Sequence, residues 1–401
     1  MFSSANSSES GSPAANPIAF HAVTLATFFG ASAAPTPLYR IYQESFAASP
    51  AMMTGIFAVY AFALLSALLI AGSISDHLGR KPVIFGALLL EIAAMALFVV
   101  ADAPSWLVAA RIVQGLATGI AGASIGAALV DVDRVKGQLV NSLAPLIGMA
   151  VGALGTSALI QYGPFPLHLV YGLLLIGFVL LAAAIWLTPE TGGKRLGALS
   201  SLKPTIAIPA QIKRPLALVT PINIANWALG GFYLSLMPSL VASVTGSRTP
   251  LTGGAVVAAL MAAGAISVFL RRACAPRSNV TFGVSATTIG MLVVVAGTHL
   301  ANVPVIIFGT LLTGAGFGTS FLGIMGSIMP LARADERAGL LSAFYIQSYL
   351  AFSLPAMAAG FLAKTLGFQA TTDIYAAVII VTAVAGLVAS RERRVEVSVV
   401  S

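Results

Sequence analysis

Two ionisable residues stand alone in long apolar runs of this sequence: Glu91 in "FGALLLEIAAMAL" and Arg111 in "RIVQG". A carboxyl among apolar side chains loses the hydration that favours its charge, so it is suited to take up and release a proton near neutral pH. A guanidinium in hydrocarbon costs about 2.5–3.5 kcal/mol and ordinarily faces a cavity or a partner. Arg111, Gln114, Gly115 and Thr118 obey the i, i+3, i+4, i+7 rule of one helical face, which predicts a face lining a central cavity. Two alternatives stay open. Arg111 begins about two turns from the end of its run and could snorkel to the headgroups. Glu91 could be a neutral packing residue or a structural partner of Arg111.

A third cluster, "GSISDHLGRKP" from Gly72 to Pro82, sets an acid, a histidine, an arginine and a lysine on a short bridge between two apolar runs. Gly72 and Gly79 permit close approach and a tight reversal. Asp76 at a helix end can accept from the unpaired N–H groups that start a neighbouring helix. A purely topogenic loop would need Arg80 and Lys81 but neither Asp76 nor the glycines.

Catalytic signatures are decoys or missing. "GASIG", Gly122 to Gly126, has the spacing of a hydrolase elbow but lies in an apolar helix. "GAGFG", Gly314 to Gly318, has no preceding strand and reads as a packing or bending site. His21, His77, His168 and His299 have no metal spacing, and Cys274, the single cysteine, has no pairing partner and reads as inert. Without a Walker sequence ATP is not the direct energy source. The expectation is a protein that is not an enzyme and carries no cofactor or metal.

The elements that must position these residues follow from composition. Of 401 residues, 58% are hydrophobic and only 8% charged, with mean hydropathy +0.95, which describes a membrane protein. A spanning helix needs roughly 20 apolar residues, and such runs recur about twelve times, from 17–39 to 371–390. Residues 1–16 are polar, lack Lys and Arg and read as a disordered tail. Seventeen Lys and Arg fall on the even-numbered joints and the C-terminal tail, against Arg40, Arg248 and Lys364 on the other side. That asymmetry predicts both termini in the cytoplasm. The net charge of +8 is thus a topology signal, and the scattered basic residues exclude nucleic acid as a partner. The longest joint, residues 190–215, predicts an N-terminal six-helix bundle over 1–189, a cytoplasmic linker, and a C-terminal bundle over 216–401 with a short basic tail. The fold class is all-α and integral to the membrane, and two bundles suggest a duplicated transporter with its site between them.

Gly72, Asp76, Gly79, Arg80 and Lys81 have the spacing of the loop motif G-x-x-x-D-x-x-G-R-[RK], and here the chain resembles the major facilitator superfamily. The resemblance extends over helix count, topology and linker. It implies that Asp76 caps helix 11 of the other half and that Arg80 pairs with an acid ending helix 4, Asp131 or, as the other choice, Asp133. Such a latch closes the cytoplasmic side and breaks when the cavity turns inward. "RIVQG" is similar to the R-x-x-Q-G motif of the family's drug/proton antiporters. The antiporters' helix 5 motif is incomplete, since Ala153 stands where proline is expected and Thr156 and Ser157 replace glycines, although Gly148, Gly152 and Gly155 keep small-residue packing.

Polar and aromatic stripes recur in the C-terminal half: Asn223 and Trp227, Asn226 and Tyr233 on helix 7; Thr310, Thr313 and Phe317 on helix 10; Tyr345, Ser348, Tyr349 and Phe352 on helix 11. With Gln114 and Thr118 they are candidates to line a cavity for an aromatic or amphipathic solute. Ordinary interhelical contacts are the alternative. The function expected is proton-coupled, drug-type export of small molecules by a monomer in the cell (plasma or inner) membrane. The alternatives are an uptake symporter for a metabolite and, further off, a non-transporting sensor.

Overall fold

Proline placement explains many of the helix starts. In the computed structural model, which describes residues 16–247 and 249–399 and the side chains as far as residue 389, helices begin at Pro17, Pro35, Pro50, Pro104, Pro250 and Pro276. Proline's missing N–H is unneeded in a first turn and its φ is already helical. Side-chain caps complete other starts: Ser49 accepts from Met52 N, Asp133 from Val135 N and Lys136 N, and Asn302 from Val305 N.

The helices are α1 (Pro17–Ala33, continued past a bend as Pro35–Ser45), α2 (Pro50–Ala71), α3 (Arg80–Val99), α4 (Pro104–Val132), α5 (Arg134–Tyr162), α6 (Leu169–Ala184), α7 (Ala210–Ser235, continued as Met237–Thr245), α8 (Pro250–Arg271), α9 (Pro276–His299), α10 (Val303–Ile328) and a 63-residue run, Arg337–Val399. Gly367, at φ 81° and ψ 167°, divides that run into α11 and α12. Ten helices are long and apolar enough to cross a membrane, and the two segments of α7, bent by 62°, form one more. The break at Gly367 brings the described spans to twelve. The protein is an all-α, multi-pass membrane protein.

Three boundaries differ from the sequence expectation. Pro35 and Pro37 break the first span at Ala34, and helix resumes to Ser45, beyond the expected end at 39. Helix α7 starts at Ala210, so residues 210–215 belong to it and Pro215 is internal. One glycine, with no loop, breaks the run between α11 and α12. The tail 1–15, Arg248, and the side chains of Arg391, Arg393 and Arg394 lie outside the described residues; α12 continues through 391–399.

Small residues set the helix packing. A Cβ on Gly148 or Gly152 of α5 would meet the backbone of Ala26 or Gly30 on α1; on Gly314 or Gly318 of α10, that of Leu260 or Gly264 on α8. "GAGFG" is therefore a packing site. Gly155 faces open space and packs on nothing. Large apolar side chains such as Val151, Leu180, Leu270 and Val381 are exposed on the outside, as a lipid-facing surface requires.

The N-terminal and C-terminal helices meet chiefly at the end remote from residues 72–82. There Thr36 Oγ1 donates to Leu234 O at 2.8 Å and Arg40 Nη1 to Ser247 O at 3.3 Å. Gly254 abuts Ser157, and Gly360 abuts Thr54. At the other end a cavity of about 360 Å³ opens between Lys213, Leu216, Ala217 and Thr220 of α7 and Ala343 and Gln347 of α11.

Candidate functional site

At the loop motif, Arg80 begins α3 and its guanidinium gathers three partners: Asp131 Oδ2 at 2.9 Å, Ser75 Oγ at 2.8 Å and Asp76 Oδ1 at 2.5 Å. Of the two candidate acids, Asp131 receives Arg80, and Asp133 caps α5. Gly79 supplies the reversal with φ 94° and ψ 157°, a region essentially reserved for glycine. Gly72 has ordinary helical angles.

Asp76 does not cap α11. Its described partner is Arg80 in its own half, because the linker stands where α11 was expected. Ser73 Oγ donates to Ser201 O, Arg195 N to His77 O, and Ala207 N to Gly339 O near the start of α11.

A residue that the sequence reading passed over organises this corner. Glu190, just beyond α6, accepts from Arg80 N at 2.8 Å, Lys81 N at 3.1 Å and Gly192 N at 2.9 Å, capping α3. Lys81 Nζ in turn donates to Thr188 O at 2.6 Å and Trp186 O at 3.3 Å, so each segment caps the other. Burial opposes the Glu190 charge, but the N–H groups of Gly192, Arg80, Lys81 and Thr191 outweigh it and hold the carboxyl below the usual carboxylate range.

The second site lies inside the N-terminal helices. Arg111, 1% exposed, does not snorkel. Its Nη1 donates to Ser32 O at 3.0 Å and to Gln114 Oε1 at 2.7 Å, and Nη2 donates to Tyr39 OH at 3.0 Å. Gln114 Nε2 then reaches Glu91 Oε1 at 3.2 Å and Ala31 O at 3.1 Å. Gln114 thus bridges the two charges. The Ala31 carbonyl is free for this because Pro35, four residues on, has no N–H to give it. Glu91 Oε2 and Arg111 Nε are buried without a hydrogen-bond partner. The guanidinium lies 4.3 Å from the Tyr60 ring centre and 5.9 Å from that of Phe57. Thr118 Oγ1 donates to Gln114 O and interacts with the Tyr60 hydroxyl. Tyr39, Tyr60 and Phe57 are further residues that the sequence reading missed; the Pro35–Pro37 pair was the available signal.

The third site is an aromatic cluster in the other half, joined to the second by Phe57 and Phe352 at 4.9 Å between ring centres. Trp227 is surrounded by Tyr349 at 5.0 Å, Phe352 at 5.9 Å and Phe321 at 6.5 Å, with Tyr345 tilted against Tyr349 at 6.1 Å. Phe317 packs by Gly230 next to Phe352. Asn223, one turn before Trp227, donates to Ser348 Oγ at 3.0 Å and Gln347 Oε1 at 3.4 Å. Asn223 Oδ1, Asn226 Oδ1 and Trp227 Nε1 are buried without partners. Three lining candidates fall elsewhere. Tyr233 OH bonds Thr310 Oγ1 at 3.1 Å within the α7–α10 contact, and Thr313 bonds Gly309 O against Gly290 of α9. They are helix-to-helix contacts because their hydroxyls are already used.

Twelve spans, with a buried polar chain in one half and an aromatic cluster in the other, are the architecture of a multi-pass membrane transporter. The family model of the Major Facilitator Superfamily matches residues 20–277, and the chain belongs to that family. Among curated proteins it is similar to Multidrug resistance protein MdtL of Klebsiella pneumoniae (strain 342), 35% identical over 131 residues, 31% of this chain and 33% of that protein. MdtL of Shewanella oneidensis is 31% identical over 154 residues, 37% of this chain and 38% of that protein. The match thus spans little more than a third of these relatives. Among solved structures the chain shares its fold with the nucleoside transporter NupG (TM-score 0.69, 11% identity, 94% of this chain and 99% of that one). It shares it equally with a partially occluded inward open form of the xylose transporter XylE from E. coli (TM-score 0.70, 14% identity, 92% and 97%).

Proposed function

We propose that this protein exports small amphipathic or aromatic solutes in exchange for protons, by alternating access between its two bundles. In this reading the helices up to residue 189 and those from α7 onward are the moving bodies, and the stretch between 190 and the start of α7 at Ala210 joins them. Both termini face the cytoplasm of a plasma or inner membrane, and the working unit is a monomer. The likeness to multidrug resistance proteins supports the substrate class. The observation that carries the reading is the buried chain Glu91–Gln114–Arg111, with Glu91 0% exposed and one of its oxygens unpartnered. A carboxyl takes a proton where its charge lacks a partner and releases it near a cation. Gln114 holds acid and arginine on one relay, so a small helix movement that changes their separation couples protonation to the swing.

Glu91→Gln copies the protonated form. The variant should bind and exchange solute in liposomes yet fail to concentrate it on a pH gradient; uphill flux equal to the wild type would remove Glu91 from the mechanism. A second reading, proton-coupled uptake of a small metabolite, is favoured by Ala153 at the position of the antiporter proline. The sign of solute movement on an imposed pH gradient separates the two.

A further inference from the structure

The aromatic cluster carries a polar pattern that selects among aromatic solutes. Asn223, 0% exposed, leaves an acceptor unused at Oδ1, and Trp227 leaves a donor unused at Nε1. Trp227 sits in the ring of Tyr349, Phe352 and Phe321, and Asn223 lies one turn before it on α7. Four residues apart on α7, their backbones are about 6 Å apart along the axis, and a primary amide carries both the donor that Oδ1 lacks and the acceptor that Nε1 lacks, each for a hydrogen bond of about 2.9 Å. A carboxylate could accept from Trp227 but would set its charge against the Asn223 oxygen. A quaternary ammonium could use neither atom.

The charges around the cluster point the same way. On the N-terminal side Phe57 and Tyr60 carry the Arg111 guanidinium on their faces, and Glu91 lies behind it, beyond Gln114. On the approach from the open end, the cavity below Asn223 has one charged wall residue, Lys213, and no acid; its inner residue Gln347 touches Asn223. Glu336, at the start of α11, is held by Gln211 Nε2 and Arg333 N. A lipophilic cation therefore meets Lys213 on the wall of that cavity and no carboxylate among its lining residues.

We propose, building on the export reading above, that the substrate class of this site is the uncharged aromatic amide, its ring held by Trp227, Tyr349 and Phe352 and its amide by Asn223 Oδ1 and Trp227 Nε1. Lipophilic cations are excluded. The test uses the purified full chain in nanodiscs and equilibrium dialysis of three probes on one scaffold: 2-naphthamide, 2-naphthoate and 2-naphthyl-trimethylammonium. The amide should bind at least about tenfold more tightly than the ammonium, a difference of 1.4 kcal/mol. Trp227→Phe, which keeps the ring and removes the N–H, should lower amide binding about tenfold at an unchanged melting temperature, and Asn223→Leu, which also loses the bonds to Ser348 and Gln347, should lower it about tenfold with a lower melting temperature. Asn223→Asp should raise ammonium binding. Ammonium bound as tightly as the amide, amide binding untouched in both Trp227→Phe and Asn223→Leu, or no binding of the amide would each overturn the proposal. Amide that binds with this pattern but is not moved by a pH gradient would overturn the export reading and leave the binding site standing.

Discussion

Glu190 shows how one side chain stabilises a corner where two helices meet. Its carboxylate replaces the missing acceptors of the first turn of α3 and of Gly192. A Cβ on Gly79 would come within 2.9 Å of it, so the glycine of the loop motif is needed for this contact as well as for its backbone angles. Because the folded carboxyl releases its proton more readily than the unfolded one, the cap contributes fully above the ordinary value of 4.5 and is lost as pH falls through the lower folded value. Glu190→Gln should therefore lower the melting temperature near neutral pH and flatten the acid side of the curve. Parallel acid falls in both proteins would remove the cap from the stability account. Glu91 and Arg111 were legible in the sequence because a charge in an apolar run is rare. Glu190 was not, because at the edge of a loop a charge is the norm.

Among elements, α5 offers an internal comparison. Gly148 and Gly155 lie on the same helix, yet a Cβ at Gly148 would meet the backbone of Ala26, and one at Gly155 would meet nothing within 4 Å. Backbone cannot rotate away as a side chain can, so Gly148→Ala forces α1 and α5 apart at a cost of roughly 1–3 kcal/mol. Gly155→Ala is free to gain helix propensity, up to about 1 kcal/mol. Melting in detergent should show the first variant lowered and the second level or raised; equal effects would mean the glycines act through flexibility alone. The spans were legible because apolar length and proline starts are local properties. The breaks were less so: a proline pair shows that α1 bends, but which carbonyl it frees, and that Gln114 takes it, depends on a helix some eighty positions away. The stripe of Thr310 and Thr313 misled for a related reason, since periodicity finds a face without saying whether a cavity or another helix lies against it.

For the whole molecule, the contacts divide by end. Thr36–Leu234, Ser157–Gly254 and Thr54–Gly360 join the halves at the end remote from the loop motif, and the cavity beside Ala217 opens at the motif's end. The orientation proposed above puts this end on the inside, where Asp76 rests on Arg80 and the linker bridges to Gly339. Closing that end requires the halves to approach, which gives Asp76 the chance to reach the start of α11 and complement its unpaired N–H groups. Accessibility of one cysteine reads this directly. In a Cys274→Ser background, Ala217→Cys should react with a membrane-impermeant maleimide in inside-out vesicles and stay silent in right-side-out vesicles. Solute and a pH gradient that populate the other state should slow that reaction. Asp76→Asn removes the charge that favours the closed inner end while keeping shape, so it should lower flux, keep insertion intact and abolish the protection of Ala217→Cys. Labelling from the outside would overturn the orientation, and normal flux with normal protection in Asp76→Asn would show that the inner end closes without this carboxylate.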